Sequence, residues 1–215
     1  MTFVNTKTLE PAAPTTPLKG RALSKQRTRE KILAAARELF TERGYEGATV
    51  RDIAKAAGMS TGAVFASFAD KAELFDEIIA QDYQALADEM AAAVRDAATV
   101  DDALLGLFGA AYRNHVQQVP MVRAAMSVGW TRDASTAQRS RDALKPIVGL
   151  LRDALQQAQD RGELASSADI RLLREIIWEV YLSGYRAAVH KGSGADEMLA
   201  RLASQLEVIL AGSRA

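Results

Sequence analysis

The chain has no cysteine, only two histidines and five prolines in 215 residues, and few aromatic side chains. Without thiols there is no disulfide, no thiol redox switch and no thiolate metal site. His115 and His190 stand too far apart in sequence to form a zinc-ligand pair, so no metal and no cofactor is expected. A Gly-rich phosphate loop is missing, as is any nucleophile placed beside a base, which leaves little for an enzyme to work with. No apolar run approaches the length of a membrane span, and the N-terminal residues lack the apolar stretch of a signal peptide. The expectation is a cytoplasmic protein with no membrane partner.

One charge sign is not in excess: Lys plus Arg and Asp plus Glu each number 27. The distribution is uneven, however. Residues 1–75 hold twelve basic against eight acidic side chains, and the remainder holds fifteen against nineteen. Six basic residues, Lys19, Arg21, Lys25, Arg27, Arg29 and Lys31, stand in one short stretch with a single acid, Glu30. Pro11, Pro14 and Pro17 punctuate a threonine-rich start in which no apolar face can form, so residues 1–22 are expected to be a disordered tail.

Beyond the tail the apolar residues recur at helical spacing, and alternating strand patterns are scarce, which predicts an all-α fold. The most informative segment is Gly44–Phe75. Thr49 and Asp52 have the chemistry of a capping box, and Val50, Ile53, Ala54 and Ala57 then share one face. Gly58 stops that helix and Met59 plugs the angle to the next, which Ser60 or Thr61 caps. Val64 and Phe68 point inward, leaving Thr61, Gly62, Phe65, Ala66 and Ser67 on or near the outer face. Asp70 caps a further helix and puts Lys71 in its first turn, where a cation and exposed N–H groups can share one phosphate. A helix, a tight turn and a second helix at this spacing read as a helix-turn-helix, whose second helix enters the major groove of DNA.

The residues Ile32, Ala35, Ala36, Leu39, Phe40, Gly44, Tyr45, Thr49, Val50, Ile53, Ala54, Ala57, Gly58, Ser60, Gly62, Val64, Phe65, Phe68, Lys71 and Leu74 together resemble the TetR family of transcriptional regulators. The resemblance covers about the first third of the chain beyond the tail. Farther on, the chain is similar only in being helical, in length, and in Arg161-Gly162-Glu163-Leu164 before its last two helices. Two positions depart from the family. Phe65 stands where the family usually has Tyr, and Ser67 where it has His or Tyr. The family residues there often touch the DNA backbone. No Arg, Lys, Asn or Gln lies between Ser60 and Ala69, so direct base readout by hydrogen bonds should be sparse. Ala66 offers a methyl suited to a thymine methyl. The candidate DNA contacts are therefore Lys25, Arg27, Thr49, Arg51, Ser60, Thr61, Gly62, Phe65, Ala66, Ser67 and Lys71, with double-stranded operator DNA as partner.

The predicted architecture is an N-terminal three-helix helix-turn-helix head on a larger helical ligand-binding and dimerisation body, about nine helices in all. The head occupies 23–70 and the body 71–215. The first helix is expected from about Ser24 to Arg43, and the fourth from Lys71 to about Ala97. The fifth starts at the Thr99–Asp102 cap and runs to about Gln118. A short sixth follows Pro120 to about Val128, and Trp130–Ser140 is a polar connection. The seventh reaches about Arg161, with a kink or restart near Pro146. The eighth spans about Asp169–His190 and the ninth about Ala195–Leu210.

Helix five places Phe108, Tyr112 and His115 on one face, and helix eight Trp178, Tyr181 and Tyr185. Met121, Met126 and Trp130 lie between them in sequence. In the family resembled, effector pockets sit in this body. Phe108, Tyr112, His115, Met126, Trp130, Trp178, Tyr181 and Tyr185 are the candidate lining for an aromatic or amphipathic small molecule. The competing reading is a plain aromatic core. The family's last two helices pair with their copies, which implies a homodimer and makes Ile177, Leu199, Leu202, Leu206 and Ile209 candidate interface residues. The same stripes could instead close the monomer's own core. The leading expectation is a repressor released from a near-palindromic operator by an effector. A TetR-like adaptor that does not bind DNA, or a small helical enzyme, are the alternatives.

Overall fold

Helix after helix in this chain begins on a short polar side chain that caps it. Thr49 accepts from the amide of Asp52 at 3.2 Å, Ser60 from Ala63 at 3.2 Å and Asp70 from Glu73 at 2.7 Å. Thr99 does the same for Asp102 at 3.1 Å and Asp169 for Leu172 at 3.0 Å. Each cap satisfies one of the donors that a helix leaves unpaired at its start. The structure, a computed structural model, describes residues 20–131 and 138–215. Among these residues there are nine α-helices and no strand beyond a single bridge, Leu164 to Arg214. They are α1 (Gly20–Gly47), α2 (Val50–Ala56), α3 (Thr61–Phe65), α4 (Lys71–Ala93), α5 (Val100–His115), α6 (Val119–Thr131), α7 (Gln138–Asp160), α8 (Ile170–Lys191) and α9 (Ala195–Ala211). A 3₁₀ turn, Val116–Gln118, joins α5 to α6.

Two hydrophobic clusters organise the helices. The first holds Ile32, Leu39 and Phe40 of α1, Ile53 and Ala54 of α2, Val64 of α3, Phe68, and Leu74, Phe75 and Ile78 of α4. It also takes in Met121, Ala124 and Val128 of α6. The second lies among α4, α5, α7, α8 and α9, with Leu104, Leu107, Phe108, Leu155, Ile177, Leu202 and Leu210 fully or almost fully buried. Helix α4 supplies residues to both clusters, so it runs from the head into the body. At Gly184 the Tyr112 ring of α5 reaches so close to the α8 backbone that a Cβ would lie 2.3 Å from the Tyr112 hydroxyl. That contact explains a glycine inside a helix that otherwise favours larger residues.

Several sequence-based boundaries shift. The first helix starts at Gly20 rather than Ser24 and carries on to Gly47, with Gly44 (φ 74°) breaking it where a turn was expected. The tail expected over 1–22 lies outside the described residues through residue 19, while Gly20–Ala22 are helical. Helix α4 ends at Ala93, four residues short of the expectation, because Val94 leaves the helix to turn toward the Thr99 cap. The expected connection Trp130–Ser140 is narrower: α6 reaches Thr131, α7 begins at Gln138, and 132–137 lie outside the described residues. Pro146 neither kinks nor restarts α7. It is exposed, as is Asp142, whose carbonyl it leaves without an amide donor. Water can serve that carbonyl, and Ile147, Leu151, Leu155 and Ala158 hold the helix down on its other side.

Candidate nucleic-acid interface and the cavity behind it

Local chemistry builds the interface. Thr49 both accepts from the Asp52 amide and donates to its carboxylate at 2.6 Å, while the Thr49 amide reaches the same carboxylate at 3.3 Å. The Thr49 hydroxyl holds the Asp52 carboxyl below its usual range, helped by Arg43 and Lys55 nearby. Gly58 adopts φ 68°, and Met59 donates back to Ala54 at 2.9 Å, which turns the chain from α2 to α3. Helix α3 is shorter than expected. It ends at Phe65, with Ala66 as its C-cap, and Ser67 lies in the turn that follows. The Ser67 hydroxyl donates back to Ala63 at 3.3 Å.

Thr61 is half-buried, whereas Gly62 and Ala66 are exposed and Phe65 is 52 % exposed. A Cβ at Gly62 would meet nothing nearer than the Ser60 hydroxyl at 3.8 Å, so the fold itself leaves room for a side chain there. Lys25, Arg27, Arg51 and Ser60 are exposed. Lys71 is differently placed. Its ammonium donates to the carbonyls of Tyr45 at 2.9 Å and Ala48 at 3.3 Å, and sits 4.2 Å from the centre of the Tyr45 ring. It staples α4 to the last turn of α1 and to Ala48 just beyond it, with the Glu46 carboxylate 3.9 Å away, and any phosphate contact would have to use the donor left over.

Two arginines of α1, Arg29 from the basic stretch and Arg37 two turns beyond it, turn inward. Arg29 donates to the Ser67 carbonyl and pairs with Glu77 of α4, with its guanidinium 4.0 Å over the Phe68 ring. Arg37 pairs with Asp82, one turn and a half farther along α4. These side chains fasten α1 to α4. Their partners lie 48 and 45 residues away, so no local sequence signal announced them.

Behind the head is a cavity of about 510 Å³. Its walls come from α4 (Ile79, Asp82, Tyr83), α5 (Asn114, His115), α6 (Met121, Val122, Ala125, Met126), α7 (Ser140, Arg141, Leu144, Ile147) and α8 (Trp178, Leu182, Tyr185). Four of the candidate lining residues, His115, Met126, Trp178 and Tyr185, are therefore brought together. Phe108, Tyr112 and Tyr181 are not among the lining residues. They are buried in the body's core, where Phe108 stacks on Tyr181 at 4.6 Å and the Tyr112 hydroxyl donates to the Tyr181 carbonyl at 2.8 Å. The side chain of Trp130 lies outside the described residues. Tyr83, Asp82 and the α7 wall were missed, since nothing in their spacing marks them.

At one end of the cavity half-buried His115 joins a hydrogen-bonded chain with buried Tyr185 and Tyr181. His115 Nδ1 lies 2.8 Å from the Tyr185 hydroxyl, which lies 2.6 Å from that of Tyr181. Burial pushes the His115 imidazole down to about 4, so it is neutral at physiological pH. Burial likewise raises Tyr185 well above its usual value and Tyr83 to about 12.

The expected dimer residues divide as well. Ile177, Leu202 and Leu206 are 0–2 % exposed in the single chain, so they have no surface left to bury against a copy. Leu199 and Ile209 are half-buried. The exposed apolar side chains on the same two helices are Leu172 (52 %), Ile176 (39 %) and Val208 (78 %). The stripes noted in sequence close the monomer's core first, and the exposed apolar positions are offset from them.

A helix-turn-helix head fastened to a helical body with an internal cavity is the architecture of a DNA-binding regulator. Comparison with known proteins agrees. Residues 32–78 match the model of bacterial regulatory proteins of the tetR family. The HTH-type transcriptional repressor BepR of Brucella suis is 30 % identical over 179 residues, covering 79 % of this chain and 84 % of BepR. The repressor AcnR of Corynebacterium glutamicum is 29 % identical over 169 residues, 79 % of this chain and 85 % of its own. Among solved structures, the regulator FadR from Bacillus subtilis, in complex with stearoyl-CoA, shares the fold with a TM-score of 0.74 at 20 % identity, over 85 % of this chain and 98 % of FadR. The chain belongs to the TetR family of DNA-binding transcriptional regulators.

Proposed function

We propose that this protein is a repressor that a small molecule releases from a near-palindromic operator, and that it acts as a homodimer. Residues 23–70 serve as the reading head and 71–215 as the sensing and dimerisation body. The observation that carries the proposal is the position of α6. Its Met121, Ala124 and Val128 belong to the head's core, while Met121, Val122, Ala125 and Met126 line the cavity. Helix α4 is shared in the same way through Ile79. An occupant of the cavity that displaces α4 or α6 therefore shifts the head.

The two heads of a dimer must present α3 to successive major grooves about 34–36 Å apart, so a displacement of a few ångströms weakens binding. Release requires that the effector bind the DNA-free arrangement better than the DNA-bound one. The dimer forms through α8 and α9, with Leu172, Ile176 and Val208 as the apolar positions buried by the partner, flanked by Leu199 and Ile209.

The cavity walls are mostly apolar, and their volume suits a drug-sized molecule. Neutral His115 beside the Tyr185 hydroxyl favours an uncharged polar group at that end. The effector is thus an amphipathic or aromatic molecule, a class that also includes the stearoyl-CoA held by FadR. Lys25, Arg27, Arg51 and the cap Ser60 hold phosphates, while Thr49, whose hydroxyl and amide both donate to Asp52, fixes the start of α2. The test is retention of promoter fragments by the purified protein, with and without a panel of amphipathic and aromatic compounds. Retention of a defined fragment, lost with one compound class, is expected. A fragment whose retention no compound alters would leave a DNA-binding protein without a sensor and contradict the proposal.

A further inference from the structure

The outer face of α3 presents an aromatic ring and hardly any group able to pair with a base edge. Phe65 is 52 % exposed, and Ala66 beside it is exposed too. Thr61 and Gly62 stand one turn earlier on the same side, since residues four apart are neighbours on a helix. No guanidinium, ammonium or carboxamide lies between Ser60 and Ala69. The nearest hydroxyl beyond the ring, that of Ser67, is bonded back to Ala63. Yet Lys25, Arg27, Arg51 and Lys55 are exposed on the head, a charge complement to a polyanion. A large ring left in solvent on the reading helix has apolar area available to a partner. In the major groove the apolar group on a base edge is the thymine 5-methyl.

We propose that Phe65, with Ala66 beside it, reads thymine 5-methyl groups, so that half-site choice rests on methyl contacts more than on hydrogen bonds to purines. The inference rests on α3 being the reading helix and deepens that role. Gly62 has room for a side chain within the fold, and lacking one it lets the α3 backbone approach the groove closely enough for the ring to reach a methyl. Recognition of this kind is sensitive to a single carbon on the base. Burial of one methyl contributes about fourfold in affinity. A symmetric operator with one such contact per half-site gains about fifteenfold.

The experiment starts by selecting the operator from a random-core duplex library with the full-length protein. The selected duplex is then remade with deoxyuridine in place of thymine, one position at a time, and titrated by fluorescence anisotropy. Wild type should lose about fourfold at one or two thymines per half-site and nothing elsewhere. Phe65→Ala, at an exposed position that the fold does not rely on, should bind more weakly and become indifferent to substitution at the thymine its ring contacts. If Phe65→Ala binds too weakly to titrate, Phe65→Leu carries the comparison and should keep a reduced methyl dependence. Equal affinity of wild type for every deoxyuridine duplex would overturn the proposal, as would an unchanged dependence in the Phe65 variants. A library from which nothing is enriched would instead overturn the reading role of α3 itself.

Discussion

Phe108 and Trp178 look alike in sequence, as aromatics on facing helices, but the structure assigns them opposite behaviour under truncation. Phe108 is 0 % exposed, stacks on Tyr181 at 4.6 Å and lies off the cavity. Phe108→Ala should leave a void that close-packed neighbours cannot fill, at a cost of about 3–5 kcal/mol. For a chain of this size that lowers the thermal midpoint by about 6–20 °C. Trp178 is half-buried, and part of its ring already faces the cavity rather than packed atoms. Trp178→Ala should cost only about 1–2 kcal/mol, because less contact is lost. It should also enlarge the cavity without disturbing the head, so operator affinity stays near wild type while release by effector changes. Thermal denaturation followed by circular dichroism measures the first contrast, and operator anisotropy with and without a releasing compound measures the second. Equal destabilisation by the two variants, with normal release from Trp178→Ala, would mean that Trp178 is ordinary core and the sensing cavity lies elsewhere.

Lys71→Ala removes the donor shared by the Tyr45 and Ala48 carbonyls and should destabilise the head by about 1–2 kcal/mol. If its remaining proton also meets a phosphate, the slope of log affinity against log salt falls by about one; an unchanged slope refutes that contact. Val208→Glu, at a 78 % exposed position, should leave the fold intact and yield monomers in sedimentation, whereas Leu202→Glu, at 1 %, should unfold the chain; a dimer that survives Val208→Glu removes that residue from the interface. His115 carries a folded-state value near 4, below its unfolded value of about 6.5, so the unfolded chain binds the extra proton. Stability should be full above about pH 6.5 and fall toward pH 4 by at most about 1.4 kcal/mol per unit, and His115→Gln should flatten that window in denaturant titrations. An unchanged profile would show that His115 is not buried in solution.

What the sequence revealed, and what it hid, divides by the range of the interactions. The caps at Thr49, Asp70 and Thr99, the cap of α3 as Ser60 or Thr61, and the turn at Gly58 act within a few residues of themselves and were legible, whereas Asp169 was read only as a helix boundary. So was the inward face of the head, where Ile53, Val64 and Phe68 follow helical spacing into one core. The cavity was legible only in part. His115 and Phe108 share a face of α5, and what separates cavity lining from core is which distant helix lies opposite. Tyr83 and Asp82 line it from α4, and the Arg37–Asp82 pair depends on how α1 crosses that helix. The stripe Leu202–Leu206 showed that α9 packs on something. It did not show that the something is the monomer itself. Pro146 misled for a related reason, since its cost depends on whether the stranded carbonyl faces water.

Because the chain has no cysteine, one engineered thiol labels it uniquely, and this opens the most direct test of coupling between cavity and heads. Glu38 is exposed on α1, and Glu38→Cys carrying a spin label reports the distance between the two heads by electron–electron resonance. On the selected operator the account calls for one narrow distance distribution, fixed by heads seated in successive grooves. A compound that releases the operator should shift that distribution by several ångströms or broaden it. A distribution that stays the same while the compound releases DNA, or the absence of any inter-head distance, would contradict the account.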